Sequence, residues 1–248
     1  MTQRRPRGSS ACEEVLIAGL PVQITRKRVR NINLRVRDDG TIALSAPPHT
    51  PLSYIETIVR ERSDWIAAAR QRVATQESRH AKTCENGAIV WVWGLPYRCQ
   101  LEPAAGTRRT CTFEMAEGTL VCHVPEGRLG TDEQAAARRT SDLSAWLRAK
   151  LAERVEQLRP SCEQAVQVRC AGTRIRQMSS RWGSCNTATH KVTLNLNLVH
   201  HEPECLEYVL CHELCHLHEP SHNKRFHALM DQCYPNWRSV RNLLNSRC

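Results

Sequence analysis

Apolar and polar positions alternate in short bursts from Val22 onward. Ile32, Leu34 and Val36 are interleaved with Asn33, Arg35 and Arg37, and Ile42 and Leu44 resume the alternation after Asp39-Gly40. Period-two alternation on both sides of an Asp-Gly pair predicts a β-hairpin. Thr50 and Pro51 read as an N-cap and first helical position, and Leu52, Ile55, Ile58, Val59 and Ile66 then recur at helical spacing. That helix is expected to fade near Arg72. A polar linker over 75–87 leads into four short strands around 88–93, 97–101, 110–115 and 119–124. Gly94-Leu95-Pro96 and Ala116-Glu117-Gly118 supply turns between them. Leu143, Leu147, Leu151, Val155 and Leu158 predict a long helix from about Asp132 to Arg159, ended by Pro160.

The last third changes character. Residues 168–178 read as a strand, 181–185 as a loop, and Val192, Leu194, Leu196 and Leu198 as one alternating strand with Asn195 and Asn197 on its other face. Pro203 opens a helix through Leu206, Val209, Leu210, Leu214 and Leu217, which Pro220 stops. A final amphipathic helix holds Phe226, Leu229, Met230 and Cys233 before Pro235. No internal repeat or low-complexity segment is found. The expected class is α+β: a loose basic tail over 1–20, a β-rich N-terminal region with helices over 21–128, and a C-terminal domain over 129–248.

Composition narrows this picture. With 248 residues, 41% hydrophobic and 24% charged, the chain matches a globular protein and not a disordered or fibrous one. Apolar stretches such as Ala88 to Trp93 fall far short of the roughly 18 residues a membrane span requires. The stretch Val15 to Leu20 is too short for a secretion signal. The 13 cysteines are odd in number, irregularly spaced and without a C-x-x-C pair, which points to reduced thiols and a cytoplasmic protein. The net charge of +10 is spread along the chain and favours an anionic partner without naming one.

The chemistry concentrates at His212-Glu213-Leu214-Cys215-His216, an H-E-x-x-H string inside the expected helix. Histidines four residues apart share a helix face and hold one metal ion, while the glutamate between them takes a proton from metal-activated water. A catalytic zinc needs a third protein ligand. Only Glu219 and Asp231 are acidic beyond His216, so a histidine is the natural choice. His222 stands at the metzincin spacing H-E-x-x-H-x-x-G-x-x-H, with Glu219 at the glycine position and Pro220 available to reverse the chain. His218 and His227 compete with it. Asn195 on its strand and Arg181 in its loop are candidate substrate-binding residues; Trp182 and Cys215 read as core.

These residues resemble the YgjP-like metallopeptidase domain family, related to the SprT-like and WLM zincins. The likeness runs through Arg181-Trp182-Gly183-Ser184-Cys185, Leu194-Asn195 with Leu198, Tyr208-Val209, the H-E-x-x-H string with Leu217, His222 with Phe226, and Pro235-Asn236-Trp237. The N-terminal hairpin and Trp65-Ile66 extend it over about residues 20–245. The resemblance implies that 129–248 is a zincin-like catalytic domain in which His212, His216 and His222 hold one zinc per chain and Glu213 is the general base. A metallopeptidase acting on a peptide or protein is the function it implies. Two alternatives use the same metal site: a UTP-type nucleotide pyrophosphohydrolase, and a SprT-like protease associated with DNA. Tyr208, Tyr234 and His218 are the candidate second oxyanion donors. No membrane partner is expected.

Overall fold

Ala18 and Gly19, with φ of 51° and 78°, turn the chain between β1 (Cys12–Ile17) and β2 (Leu20–Arg26). Two successive positive φ values are what a tight hairpin matching strand twist requires. The computed structural model describes residues 12–37, 40–75, 83–178 and 181–246. It divides into two compact units, Met1–Ser78 and Arg79–Cys248.

In the first unit, β3 (Asn33–Val36) and β4 (Ile42–Ala46) form the expected antiparallel hairpin. The sheet order is β1-β2-β4-β3, with β2 and β4 parallel. Val22, Ile24, Ile42, Leu44 and Ala46 point to one face and bury against Ile55 and Val59 of α1 (Leu52–Glu61) and Ile66 of α2 (Ser63–Thr75). Two expectations change here. The helix over 52–72 is two helices, interrupted at Arg62. Part of the expected loose tail is β1, whose outward Glu14 and adjacent Glu13 obscure the alternation of Val15 and Ile17. Residues 1–11 of that tail, and Asp39 of the expected Asp-Gly turn, lie outside the described residues.

The second unit begins with β5 (Ile89–Val92), β6 (Leu95–Pro103), β7 (Thr112–Ala116) and β8 (Thr119–Val124), in the order β5-β6-β8-β7 with β6 and β8 parallel. Here Trp93-Gly94 alone form the first turn, and Leu95-Pro96 already belong to β6. Asp132 caps α3 (Glu133–Val166), accepting from the Ala135 N–H at 2.9 Å. α3 runs through Pro160. The proline removes one donor and strains the turn before it, at a cost of about 3 kcal/mol. Burial of Cys162 and Val166, which extend the stripe of Leu143, Leu147, Leu151 and Val155, offsets that cost.

A second sheet and three further helices complete this unit, two of the helices packing against α3. The sheet comprises β9 (Gly172–Arg176), β10 (Gly183–Asn186) and β11 (Lys191–Asn195) in the order β10-β11-β9; the helices are α4 (Pro203–Cys215), α5 (Lys224–Cys233) and α6 (Trp237–Ser246). Val90, Val92, Cys99, Leu120 and Val124 share one core with Leu143, Leu206 and Leu210. The boundary between units therefore falls after residue 78 and not after 128. Residues 183–185 of the expected loop belong to β10 and pair with β11. The strand expected through Leu198 ends at Asn195, whose side chain accepts from the Asn197 N–H at 3.1 Å and starts a 3-10 turn over Leu196–His200. α5 is not the last helix, because α6 follows Pro235.

The two four-stranded sheets share one topology. Strand order and directions agree, and α2 packs on β3 as α3 packs on β7. Gly19-Leu20-Pro21 matches Gly94-Leu95-Pro96, Gly40-Thr41 matches Gly118-Thr119, Pro47 matches Pro125, and Trp65-Ile66 matches Trp146-Leu147. This corrects the expectation of no internal repeat. Apart from the tryptophans, the shared residues are mostly those that turn geometry demands, and the longer intervals between them differ, so the repeat has little sequence signal.

Candidate metal centre

Pro203 occupies the first turn of α4, where its missing N–H costs nothing. Leu206, Val209, Leu210 and Leu214 bury one side of the helix, leaving His212, Glu213 and His216 towards a cleft. His216 is the C-cap residue, and the N–H groups of His218 and Glu219 both return to the Cys215 carbonyl. The chain then reverses through Pro220 and Ser221. Asn223 caps α5 by accepting from the N–H groups of Arg225 and Phe226, which holds His222 at the mouth of that helix.

The three histidines converge. Nε2 of His222 lies 2.9 Å from Nε2 of His212, and one candidate ligand atom from each of His212, His216 and His222 falls within 4.8 Å of the others. Phe226, fully buried, sits beneath them with ring centroids 4.7–4.9 Å from all three imidazoles. Nδ1 of His216 donates to the Glu219 carbonyl at 3.1 Å, which turns its Nε2 to the cluster. Burial, then the neighbouring His216 and His222, depresses the pKa of His212 to about 3. Burial followed by His216 also lowers that of His222. Both rings are thus held neutral, the form that ligates metal.

Glu213 is perturbed in the opposite sense. Burial raises its pKa to about 8, opposed by the charge of Arg181 and by a backbone hydrogen bond at Cys185. Its closeness to β10 depends on Gly183: a Cβ there would lie 2.7 Å from both Cγ and Oε1 of Glu213. The cleft in front encloses about 600 Å³, with Arg181, Trp182, Tyr208, Glu213, Arg241 and Asn245 among its walls.

Of the sequence-derived candidates, His212, Glu213, His216, His222 and Arg181 meet at this cleft. Asn195 does not. It is 4% exposed, and its Nδ2 donates to the carbonyls of Met178 and Arg181 at 2.9 and 3.0 Å. It braces the segment that presents Arg181 and Trp182 and has no amide hydrogen left for a substrate. His218 donates from Nε2 to the Val166 carbonyl at 3.0 Å, and His227 stacks on Trp237. Tyr234 bonds the Glu204 carbonyl, whereas Tyr208 lines the cleft with its ring 5.7 Å from that of His212. Cys215 faces the core, 3.6 Å from Cys233 Sγ. Sequence reasoning gave Gly183 no role of its own within the Arg181–Cys185 motif and missed Arg241. The only signal for Arg241 was the unrecognised helical pattern after Pro235.

The family model for the YgjP-like metallopeptidase domain matches residues 30–247. Comparison with curated proteins returns no match. Among solved structures, the metallopeptidase zymogen of Pyrococcus abyssi abylysin is similar over 38% of this chain and 93% of its own, at 20% identity and a TM-score of 0.35.

Proposed function

Because the chain belongs to the family of YgjP-like metallopeptidase domains, we propose that it is a zinc-dependent peptidase whose reaction takes place in the cleft between α4 and β10. The observation that carries this reading is the convergence of three imidazoles beside a buried carboxyl group. A donor set of three histidines fits zinc with a fourth position left for water or substrate. Bound there, zinc would supply a Lewis acid that acidifies water and polarises a carbonyl.

The remaining work falls to the chain. Glu213 accepts the proton of the attacking water and passes it to the leaving amine. Its burial, which favours the protonated form, is opposed by Arg181 and by the backbone hydrogen bond at Cys185, and a cation held by the histidines would oppose it further, making the carboxylate available as a base. Phe226, Glu219 and Asn223 keep the three rings in place. β10 is an edge strand, and its Gly183 and Ser184 line the cleft; an extended peptide pairs along it with its scissile carbonyl towards Glu213. Tyr208, on the cleft wall, donates to the oxygen of that carbonyl as charge develops. Neither the pyrophosphohydrolase nor the DNA-associated reading is favoured by any feature of the cleft.

Purified full-length protein should hold about one zinc per chain. Against a peptide library, Glu213→Gln should retain the metal and lose at least about 100-fold in turnover. Cleavage by that variant at the parental rate excludes the mechanism.

A further inference from the structure

In the second unit, the outer edge of β5 is met by another segment of the same chain, through one backbone group and one side chain. The Trp93 N–H donates to the Val199 carbonyl at 2.8 Å, and His200 Nδ1 donates to the Trp91 carbonyl at 2.6 Å. Contact is so close that a Cβ on Gly94 would lie 2.8 Å from Cγ of Glu202. Segment 199–202, which leads into α4, is therefore seated on the first hairpin of its sheet.

The repeat assigns Leu16, Ala18 and Gly19 of the first unit to the positions of Trp91, Trp93 and Gly94. Leu16 pairs with Pro21 as Trp91 pairs with Pro96. A proline partner offers no N–H, so in both copies the backbone of the opposed residue turns outward from the sheet. In the first unit, the N–H of Ala18 and the carbonyl of Leu16 have no partner among the described residues. Leu16 is 72% exposed, and a Cβ on Gly19 would meet nothing within 4 Å. Glu14, also exposed, lies on the same face of β1 as Leu16.

We propose that the β1 edge is a docking strand for an extended segment of a protein substrate, which meets the two outward backbone groups that correspond to those satisfied by Val199 and His200 on β5. The occupant places an acceptor opposite the Ala18 N–H and a donor opposite the Leu16 carbonyl. A basic side chain faces Glu14 and an apolar one covers Leu16. Main-chain pairing at an open edge supplies affinity, and the Glu14–Leu16 face supplies preference. Naming the occupant a substrate rests on the peptidase reading above.

The test uses the full chain carrying Glu213→Gln, so that binding is read without cleavage, with reduced and alkylated lysozyme as a permanently unfolded basic probe. Hydrogen exchange at residues 14–18 should slow on binding. Leu16→Pro, which removes an outward N–H and no ladder bond, and Glu14→Lys should each raise the Kd about tenfold with an unchanged circular dichroism spectrum. Absence of probe binding, absence of protection at 14–18, or variant Kd values within about twofold of the parent overturn the proposal. So does a concentration-dependent dimer that Leu16→Pro dissolves, which would assign the edge to a second copy. With Glu213 restored, Leu16→Pro should cleave short peptides at the parental kcat/KM. If the parent cleaves no peptide while docking persists, the peptidase reading fails and the docking edge stands.

Discussion

Burial acts on His212 and Glu213 in opposite directions because it disfavours whichever form carries charge. The imidazole falls to about 3 and the carboxyl rises to about 8, so near pH 7 both are mainly neutral before any metal binds. The ligand assignment is testable one histidine at a time. His222→Ala should reduce zinc content and nearly abolish turnover, since two protein ligands seldom retain the ion. His218→Ala and His227→Ala should keep zinc, because those rings are engaged with the Val166 carbonyl and with Trp237. Elemental analysis of the three purified variants decides; zinc lost from His218→Ala and kept in His222→Ala would reverse the assignment. Gly183 is a second sensitive point. Gly183→Ala drives a methyl group against Glu213 and should lower kcat by roughly 10- to 100-fold while zinc content stays intact, the signature of a displaced base.

Among the elements, the paired hairpins offer an internal control. Gly19 and Gly94 share a positive φ, so alanine at either position introduces backbone strain of about 1 kcal/mol. Only Gly94 also has the Glu202 side chain against its Cα. Gly94→Ala should therefore shift the denaturation midpoint further than Gly19→Ala and loosen segment 199–202, as read by hydrogen exchange. Equal effects would show that Glu202 yields without cost. α3 makes the complementary point about strength: a helix with buried side chains on both sides of Pro160 keeps its course where an isolated peptide would break.

For the whole molecule, the cleft couples folding to pH. The pKa of Glu213 is raised above its unfolded value, so its contribution to stability is complete below about pH 4.5 and is lost as pH rises towards about 8. His212, depressed to about 3, opposes this by losing its contribution as pH falls below 6.5. In chelator-treated protein at pH 8, Glu213→Gln should be more stable than the parent by a few kcal/mol in order of magnitude, since each pKa unit corresponds to about 1.4 kcal/mol. The difference should vanish near pH 4.5. Urea titrations at the two pH values measure it, and a parent more stable than the variant at pH 8 would refute the burial argument. Zinc added back should raise the Tm of both proteins by linkage.

Periodicity and spacing alone located the β3–β4 hairpin, strands near 88–124, the helix starting at Pro203, and the i, i+4 relation of His212 and His216. These follow from the local geometry of strands and helices, which neighbouring residues impose on one another. Whatever depends on distant surfaces was decided by tertiary structure. Leu196 and Leu198 continue an alternating pattern, yet the Asn195 side chain and the core bend that stretch into a 3-10 turn. Asn195 looked like a cleft residue until burial showed both its amide hydrogens committed to backbone carbonyls. Arg241 reaches the cleft only because α6 packs against α4, and Gly183 matters only because Glu213 lies across from it. A hydrogen bond or a steric limit between residues far apart in the chain leaves no period in the sequence, so these features emerged only when the chain was folded.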